Sequence, residues 1–184
     1  MTHYERRLPH WDLVGHPVFV TFRLHDSLPA RRIFPPERLT SGKAFVAIDR
    51  ILDTSTSGPL YLRMPDIAAL VVASLRDGEQ RFHRYQMHSF VVMPNHVHLL
   101  VTPSVVAPQW LGPLKGFTAH EANRMLGLSG HRFWQDESYD HRVRSDAEFE
   151  RIQTYIESNP VKAGLVAVAE SWQWSSAHNG KGAA

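Results

Sequence analysis

The chain has no cysteine among its 184 residues, so disulfides, thiolate nucleophiles and cysteine-based zinc sites are all excluded. Any metal ion would need histidine, carboxylate, amide or water ligands. No uninterrupted apolar run approaches the roughly 20 residues that span a bilayer. The polar start MTHYERRLPHWD also lacks the apolar core of a signal peptide. We therefore expect a cytoplasmic protein without a membrane partner.

A large excess of charge of one sign is also missing. Lys+Arg number 20 and Asp+Glu 18, which leaves a formal net charge of +2. A net charge this small is no general signature of polyanion binding, although it is compatible with a nucleic-acid partner.

Internal repeats and low-complexity tracts are absent, and the prolines and glycines are scattered. With 43% apolar and 21% charged residues, the composition is that of an ordinary globular domain. We expect a single domain over residues 1–184, with an N-terminal arm and a C-terminal tail docked on the body of the protein.

Hydrophobic periodicity predicts a mixed α+β order of elements. The expected elements are a strand at 18–24, helices within 36–55 and at 65–75, a hairpin of strands at 85–93 and 96–102, a helix at 110–126, a strand within 137–143 and a helix from 145 or 146 to 158. Asp77-Gly78 is a helix stop signal, and Asn159 precedes Pro160, where the helical conformation is disfavoured. The order predicts a ferredoxin-like sandwich, with an antiparallel central sheet, helices on one face and the ligand site on the other.

A pair of histidines lies in the second strand of the predicted hairpin. Because side chains alternate along a strand, His96 and His98 share one face while Val97 points toward the helices. Two neutral imidazoles side by side can bind a metal ion. With 12 histidines in the chain, about one such pair is expected by chance. Taken alone, the pair is better explained as packed core histidines than as a metal site, and its place in the middle of a sheet face is what favours the metal site.

A tyrosine and an asparagine lie four residues apart near the end of the last predicted helix. If the helix persists that far, Tyr155 and Asn159 share one face, which places a phenol one turn from an amide oxygen. Each also has an ordinary structural explanation, since a tyrosine can pack half-buried and an asparagine before proline can cap a helix.

Three motifs in combination are far more restrictive than any one of them. They are MPNHVHLLV at 93–101, FWQDESYDHRV at 133–143 and YIESNPVKAGLV at 155–166. In order and spacing they resemble the single-tyrosine transposases of the HUH nuclease superfamily. The opening RRLPHWDLVGHPVFVTFRLHDSLP and the ending WQWSSAHN are similar to the branch called REP-associated tyrosine transposases. The resemblance covers most of the chain, but it assigns no role to residues 31–83.

The resemblance implies a metal-dependent enzyme that nicks and rejoins DNA. Position by position, it makes His96 and His98 metal ligands and Asn159 the third ligand, where related insertion-sequence enzymes have glutamine. Tyr155 becomes the nucleophile. The expected cofactor is a divalent cation, Mg²⁺ or Mn²⁺, which would polarise the phosphodiester. Attack would leave a 5′-phosphotyrosine link and a free 3′-hydroxyl, so strand transfer needs no ATP.

The same resemblance implies the partners. They are single-stranded DNA and DNA hairpins formed by imperfect palindromes. Related insertion-sequence enzymes form dimers, whereas the REP-associated branch is expected to act as monomers, so we expect a monomer.

Basic side chains are the candidates for contacts with DNA phosphates. They are Arg6, Arg7, Lys115, Arg124, Arg132, Arg142 and Arg144. Phe133, Trp134 or Tyr139 are candidates for stacking on bases. A solvated helix face explains Lys115 and Arg124 equally well, and Trp134 is typical of a core.

Two other functions remain open at this point. One is a non-catalytic regulator of the same fold that binds DNA hairpins. The other is a metal-dependent phosphodiesterase without a covalent intermediate, in which Tyr155 only positions water. A covalent protein–DNA adduct that depends on Tyr155 separates the transposase from both.

Overall fold

The computed structural model describes residues 13–28, 49–53 and 58–178. Its strands are β1 (Val18–Arg23), β2 (Tyr85–Val92), β3 (His96–Pro103) and β4 (Tyr139–Arg142), and its helices are α1 (Pro65–Gln80), α2 (Ala107–Leu126) and α3 (Asp146–Lys162). Of the helix predicted within 36–55, only 49–53 is described, and it is helical. None of the described helices combines the length and apolar content needed to cross a bilayer.

The four strands form one antiparallel sheet in the order β2-β3-β1-β4. This is the strand order of a ferredoxin-like sandwich, so the predicted fold class is confirmed. The two central strands pair from Val18 opposite Val101 to Arg23 opposite His96. The predicted histidine pair therefore lies on a central strand, with sheet on both sides.

The alternation of side chains divides the core between the two faces of the sheet. Even-numbered residues of β1 and odd-numbered residues of β3, such as Val97, pack with apolar side chains of α1 and α2. On the other face, Phe19, Val91 and Leu100 pack with Ile156 of α3. His96 and His98 have the parity of this second face, so they lie on the side that α3 partly covers.

Helix α1 runs past the stop signal at Asp77-Gly78, and the predicted end was wrong. The buried Gly78 lies against the ring of Tyr85, whose hydroxyl donates to the carbonyl oxygen of Leu75 at 2.7 Å. The absence of a side chain at 78 lets the ring lie directly on the helix. This packing outweighs the cost of about 1 kcal/mol that glycine imposes on a helix interior.

Helix α3 continues through Pro160 to Lys162, and its predicted end at Ser158 was also wrong. The last two turns bury Ile156, Asn159 and Pro160. The helix closes with a hydrogen bond from the Ala163 amide to the Asn159 carbonyl oxygen at 2.9 Å. Burial of these turns offsets the disfavoured conformation before proline. Because the helix persists, Tyr155 and Asn159 lie on one face.

Helix α2 begins at Ala107, three residues before the predicted start. Pro108 lies in its first turn, where a missing amide hydrogen costs nothing, and Pro113 is accommodated inside the helix.

The C-terminal segment packs against β2. The Trp172 indole donates to the Val92 carbonyl oxygen at 3.0 Å, and the Val92 amide donates to the Trp174 carbonyl oxygen at 2.8 Å. This segment covers the outer edge of β2.

Substitution of glycine by alanine should change the stability in opposite directions at Gly78 of α1 and at Gly116 of α2. Gly78→Ala should lower the free energy of unfolding by about 1–3 kcal/mol, because the added methyl group overlaps the Tyr85 ring. Gly116→Ala, at an exposed position of α2 with open space around it, should raise that free energy by up to about 1 kcal/mol. Urea denaturation measures both. A stabilising effect of alanine at 78 would contradict the packing described.

Candidate active site

The two histidines meet at the centre of the sheet face covered by α3. His98 lies opposite Thr21 of β1 in the strand register, and His96 lies opposite Arg23. Both side chains are fully buried. Their Nε2 atoms are 3.0 Å apart. The sheet therefore holds two imidazole nitrogens in contact in a place from which water is excluded.

Hydrogen bonds at the opposite ring nitrogens orient both imidazoles. His96 donates from Nδ1 to the Asn95 Oδ1 at 2.7 Å, and the Asn95 amide is held because its Nδ2 donates to the Leu52 carbonyl oxygen at 3.0 Å. The Nδ1 of His98 lies 2.7 Å from the Thr21 hydroxyl. The Thr21 hydroxyl can donate to this nitrogen or accept from it. When it accepts, both rings carry their proton on Nδ1 and the two Nε2 lone pairs face each other.

The protein keeps His96 neutral. Burial, together with the neighbouring His98, lowers the pKa of His96 to about 3, against the opposing effect of Asp49. A neutral imidazole is the form that binds a metal ion.

Asn159 of α3 contacts Asp49, the carboxylate that lies beside the two histidines. Its side chain is fully buried, and its Oδ1 has no hydrogen-bond partner among the described residues. Its Nδ2 donates to the Asp49 Oδ2 at 3.5 Å. An unpaired buried oxygen is costly, and a cation would satisfy it.

Asp49 is the residue of this site that the sequence reasoning missed. It lies in the helical segment 49–53 and is 1% exposed. Its Oδ1 is 3.1 Å from the His98 Nε2 and 3.6 Å from the His96 Nε2. The signal available in the sequence was the spacing of Asp49 and Asp53, which places two carboxylates on one face of the predicted helix.

The two carboxylates are electrostatically different. Burial would raise the pKa of Asp49, but the His98, His96 and Asn159 side chains together hold it below its ordinary value. Burial and the charge of Asp49 raise the pKa of Asp53 to about 7. Asp53 Oδ1 lies 3.7 Å from the His96 Nε2. Asp49 is therefore the carboxylate that stays ionised beside the imidazoles.

Tyr155 lies next to this cluster. Its half-buried ring is centred 5.7 Å from the ring of His98 and meets Phe19 edge-on at 6.3 Å. The Lys162 ammonium lies 4.6 Å from the centre of the Tyr155 ring. The structure thus brings together the four residues that the motifs singled out: His96, His98, Tyr155 and Asn159.

The donor set of this cluster fits a divalent cation. Asp49, His96 and His98 each offer a ligand atom, and these atoms lie within 4.8 Å of one another. The Asn159 side chain contacts Asp49, and its buried Oδ1 is a further candidate ligand. Imidazole nitrogens with carboxylate and amide oxygens are ligands that Mn²⁺ accepts, and the oxygens suit Mg²⁺.

The basic residues proposed for DNA binding are dispersed. Arg6 and Arg7 lie outside the described residues. On α2, which packs against the opposite face of the sheet, Lys115 donates to the carbonyl oxygens of Gln135 and Asp136, and burial lowers its pKa to about 8. Arg124 and Arg132 pair with nearby carboxylates at 2.9 and 3.1 Å. Arg142 and Arg144 are exposed just before α3.

The aromatic candidates for base stacking are mostly core residues. Phe133 is 3% exposed and Trp134 is 5% exposed, so neither ring is accessible to a base, and that expectation was wrong. Tyr139 is half-buried and meets Phe19 edge-on.

The hydrogen bond between Thr21 and His98 gives a test of the candidate metal site. Thr21→Val keeps the shape of the side chain but removes the partner of the His98 Nδ1, so the imidazole is free to turn or to change tautomer. We expect Mn²⁺ affinity to fall about 10- to 100-fold. Isothermal titration without DNA measures it, and unchanged affinity would show that the hydroxyl does not orient the ligand.

Comparison with known proteins shows a similarity to one protein family and to the folds of two solved structures. Residues 73–159 match the family model described as transposase IS200-like. The structure of a REP-associated tyrosine transposase bound to a REP hairpin superposes with a TM-score of 0.58 at 18% identity, covering 97% of this chain and 84% of that one. A protein of Deinococcus radiodurans R1, provisionally described as a transposase, gives a TM-score of 0.45 at 17% identity over 86% of this chain and 98% of that one. No curated protein matches significantly.

The matched segment contains both histidines, Tyr155 and Asn159, whereas Thr21 and Asp49 lie before it. The similarity of fold extends over nearly the whole chain. Over residues 73–159, the sequence is similar to the IS200-like transposase family, in agreement with the resemblance that the motifs indicated.

Proposed function

We propose that this protein nicks and rejoins single-stranded DNA at DNA hairpins through a 5′-phosphotyrosine intermediate on Tyr155. The observation that carries the proposal is the position of the Tyr155 ring, 5.7 Å from the ring of His98 on the sheet face that also holds His96 and Asn159. A phenol beside a set of metal-binding side chains is what a tyrosine nucleophile acting on a phosphodiester requires.

The proposed reaction exchanges one phosphodiester for another. The Tyr155 hydroxyl oxygen bonds to phosphorus as its proton is lost, the bond from phosphorus to the 3′ oxygen breaks, and that oxygen takes up a proton. In the reverse direction a 3′-hydroxyl attacks the phosphotyrosine and releases Tyr155. Because the bond energy is conserved, strand transfer needs no ATP.

His96, His98 and Asn159 would hold Mg²⁺ or Mn²⁺ beside the phosphate. When bound, such an ion neutralises charge on the phosphate oxygens and polarises the phosphodiester. The ammonium of Lys162 lies 4.6 Å from the centre of the Tyr155 ring and places a positive charge beside the proposed nucleophile. A cleft of about 460 Å³ beside Tyr155 is lined by the cationic Arg151 and Lys162 and by the anionic Glu150, and its two positive charges can contact the DNA backbone.

The shape of the site supports an unpaired substrate. The histidines are fully buried and Tyr155, which α3 carries, is half-buried, so the reacting phosphodiester has to approach side chains that lie below the protein surface. A flexible single strand can do so more readily than a duplex. The hairpin as partner is proposed from the sequence resemblance and from the related structure, which is bound to a REP hairpin. We propose that the whole chain acts as one domain and as a monomer.

Removal of the phenol oxygen tests the covalent step. With Mn²⁺ and labelled oligonucleotides that carry the palindromic repeats flanking the gene, the wild-type protein should yield a denaturation-resistant protein–DNA adduct. Tyr155→Phe should yield none. Tyr61→Phe is the matched control, because Tyr61 stacks on Phe133 on the opposite side of the sheet and its variant should behave as wild type.

Each result of this adduct assay has a definite meaning. Cleavage by Tyr155→Phe at the wild-type rate would favour a phosphodiesterase in which the phenol is not the nucleophile. Tight hairpin binding by wild type without cleavage or adduct would favour a non-catalytic regulator.

Removal of an imidazole separates cleavage from binding. His96→Ala or His98→Ala should abolish cleavage and leave hairpin affinity within a few-fold of wild type, because phosphate contacts rather than the ion dominate affinity. Gel-shift titration and a cleavage assay measure the two properties, with circular dichroism as the control for folding. An equal loss of binding would contradict this division.

A further inference from the structure

We infer that Asp49 is a direct, anionic ligand of the divalent ion, so that the metal site has four protein ligands: His96, His98, Asn159 and Asp49. This inference rests on the proposed function in one respect, namely that the site holds a divalent ion. It adds a residue that lies outside the family segment 73–159 and to which the sequence motifs assign no role.

The donor atoms of Asp49, His96 and His98 are spaced as a single ion requires. The Asp49 Oδ1 is 3.1 Å from the His98 Nε2 and 3.6 Å from the His96 Nε2, and the two nitrogens are 3.0 Å apart. Two ligands bound at about 2.1 Å to one ion are about 3.0 Å apart at a right angle and about 3.4 Å apart at a tetrahedral angle. The three atoms are thus already spaced as ligands of a single ion.

The number of short contacts also favours an ion. The Asp49 Oδ1 and the two Nε2 atoms form a triangle of close contacts. Because His96 donates its proton from Nδ1 to Asn95, at most one proton, on the His98 Nε2, is available to this triangle, and it would be shared between two contacts. A cation at the centre satisfies all three atoms at once, and Asn159, which contacts Asp49, offers its buried Oδ1 as a further ligand.

The helical segment 49–53, which carries Asp49, is anchored at the site. The Asn95 side chain accepts from His96 and donates to the Leu52 carbonyl oxygen, so one amide both orients an imidazole and holds the segment that carries Asp49. Leu52 itself is 3% exposed. The position of Asp49 is therefore fixed by the burial of Leu52 and by the hydrogen bond from Asn95 to the Leu52 carbonyl oxygen.

The charge of the site changes as a consequence. Two imidazoles and an amide are neutral, so a site built from them alone carries the full charge of the ion and depends on DNA phosphate for anionic ligands. A carboxylate at 49 adds an anionic oxygen, which favours hard cations such as Mg²⁺ and Mn²⁺. The protein should therefore bind its ion before DNA arrives.

The absence of cysteine allows a direct spectroscopic test. Asp49→Cys introduces the only thiol of the chain. If residue 49 coordinates, addition of Co²⁺ without DNA should produce a stoichiometric thiolate-to-metal charge-transfer band in the near ultraviolet. Arg50→Cys, at the exposed neighbouring position, is the control and should give no such band. Co²⁺ binding by Asp49→Cys without the band would overturn the inference.

Titration of the protein with Mn²⁺ alone, followed by electron paramagnetic resonance, is the second measurement. Asp49→Asn, which preserves the shape of the side chain, should weaken Mn²⁺ binding at least tenfold. Asp77→Asn, at an exposed carboxylate of α1 on the opposite side of the sheet, is the control and should change it less than threefold. Unchanged or tighter Mn²⁺ binding by Asp49→Asn would overturn the inference.

These measurements are independent of the covalent step. If Asp49→Asn binds Mn²⁺ as wild type does while the Tyr155-dependent adduct still forms, the inference fails and the proposed function stands. If the wild-type protein binds no Mn²⁺ or Mg²⁺, the inference and the metal-dependent form of the proposed function fail together.

Discussion

The Nε2 atoms of His96 and His98 face each other at 3.0 Å in the protein interior, and this contact determines which side chains can surround them. Two lone pairs repel at this distance unless a proton or a cation lies between them. The surrounding groups are those that such a pair needs. Thr21 and Asn95 occupy the outer nitrogens and turn the inner ones toward a common point. The pKa of His96 is held low enough to keep that ring neutral.

The sheet supplies the rigidity for this arrangement. His98 and Thr21 are directly opposite each other on the two central strands, so their hydrogen bond follows from the register of β1 and β3. A shift of that register by one residue would turn the histidines toward α1 and α2. The apolar residues of opposite parity, which pack under those helices, prevent such a shift.

The elements could be predicted well where local pattern and packing agree. The strand alternation at 18–24 and in the hairpin at 85–102 is present in the structure, and so is the strand order. The two wrong helix ends lie where packing overrides a local signal. At Gly78 the Tyr85 ring occupies the space that a side chain would fill, and at Pro160 burial of the last turn of α3 maintains the helix. Sequence periodicity contains no measure of either contact.

The sequence by itself determined that His96 and His98 point to one side of a strand, because alternation is a property of the backbone. Its motifs also singled out Tyr155 and Asn159 and indicated the family. The tertiary structure decided that Asn159 stays helical beyond the local stop signal and that Asp49 meets it from 110 positions away in the chain. Such proximity depends on how segments pack, and the spacing of residues along the chain cannot express it.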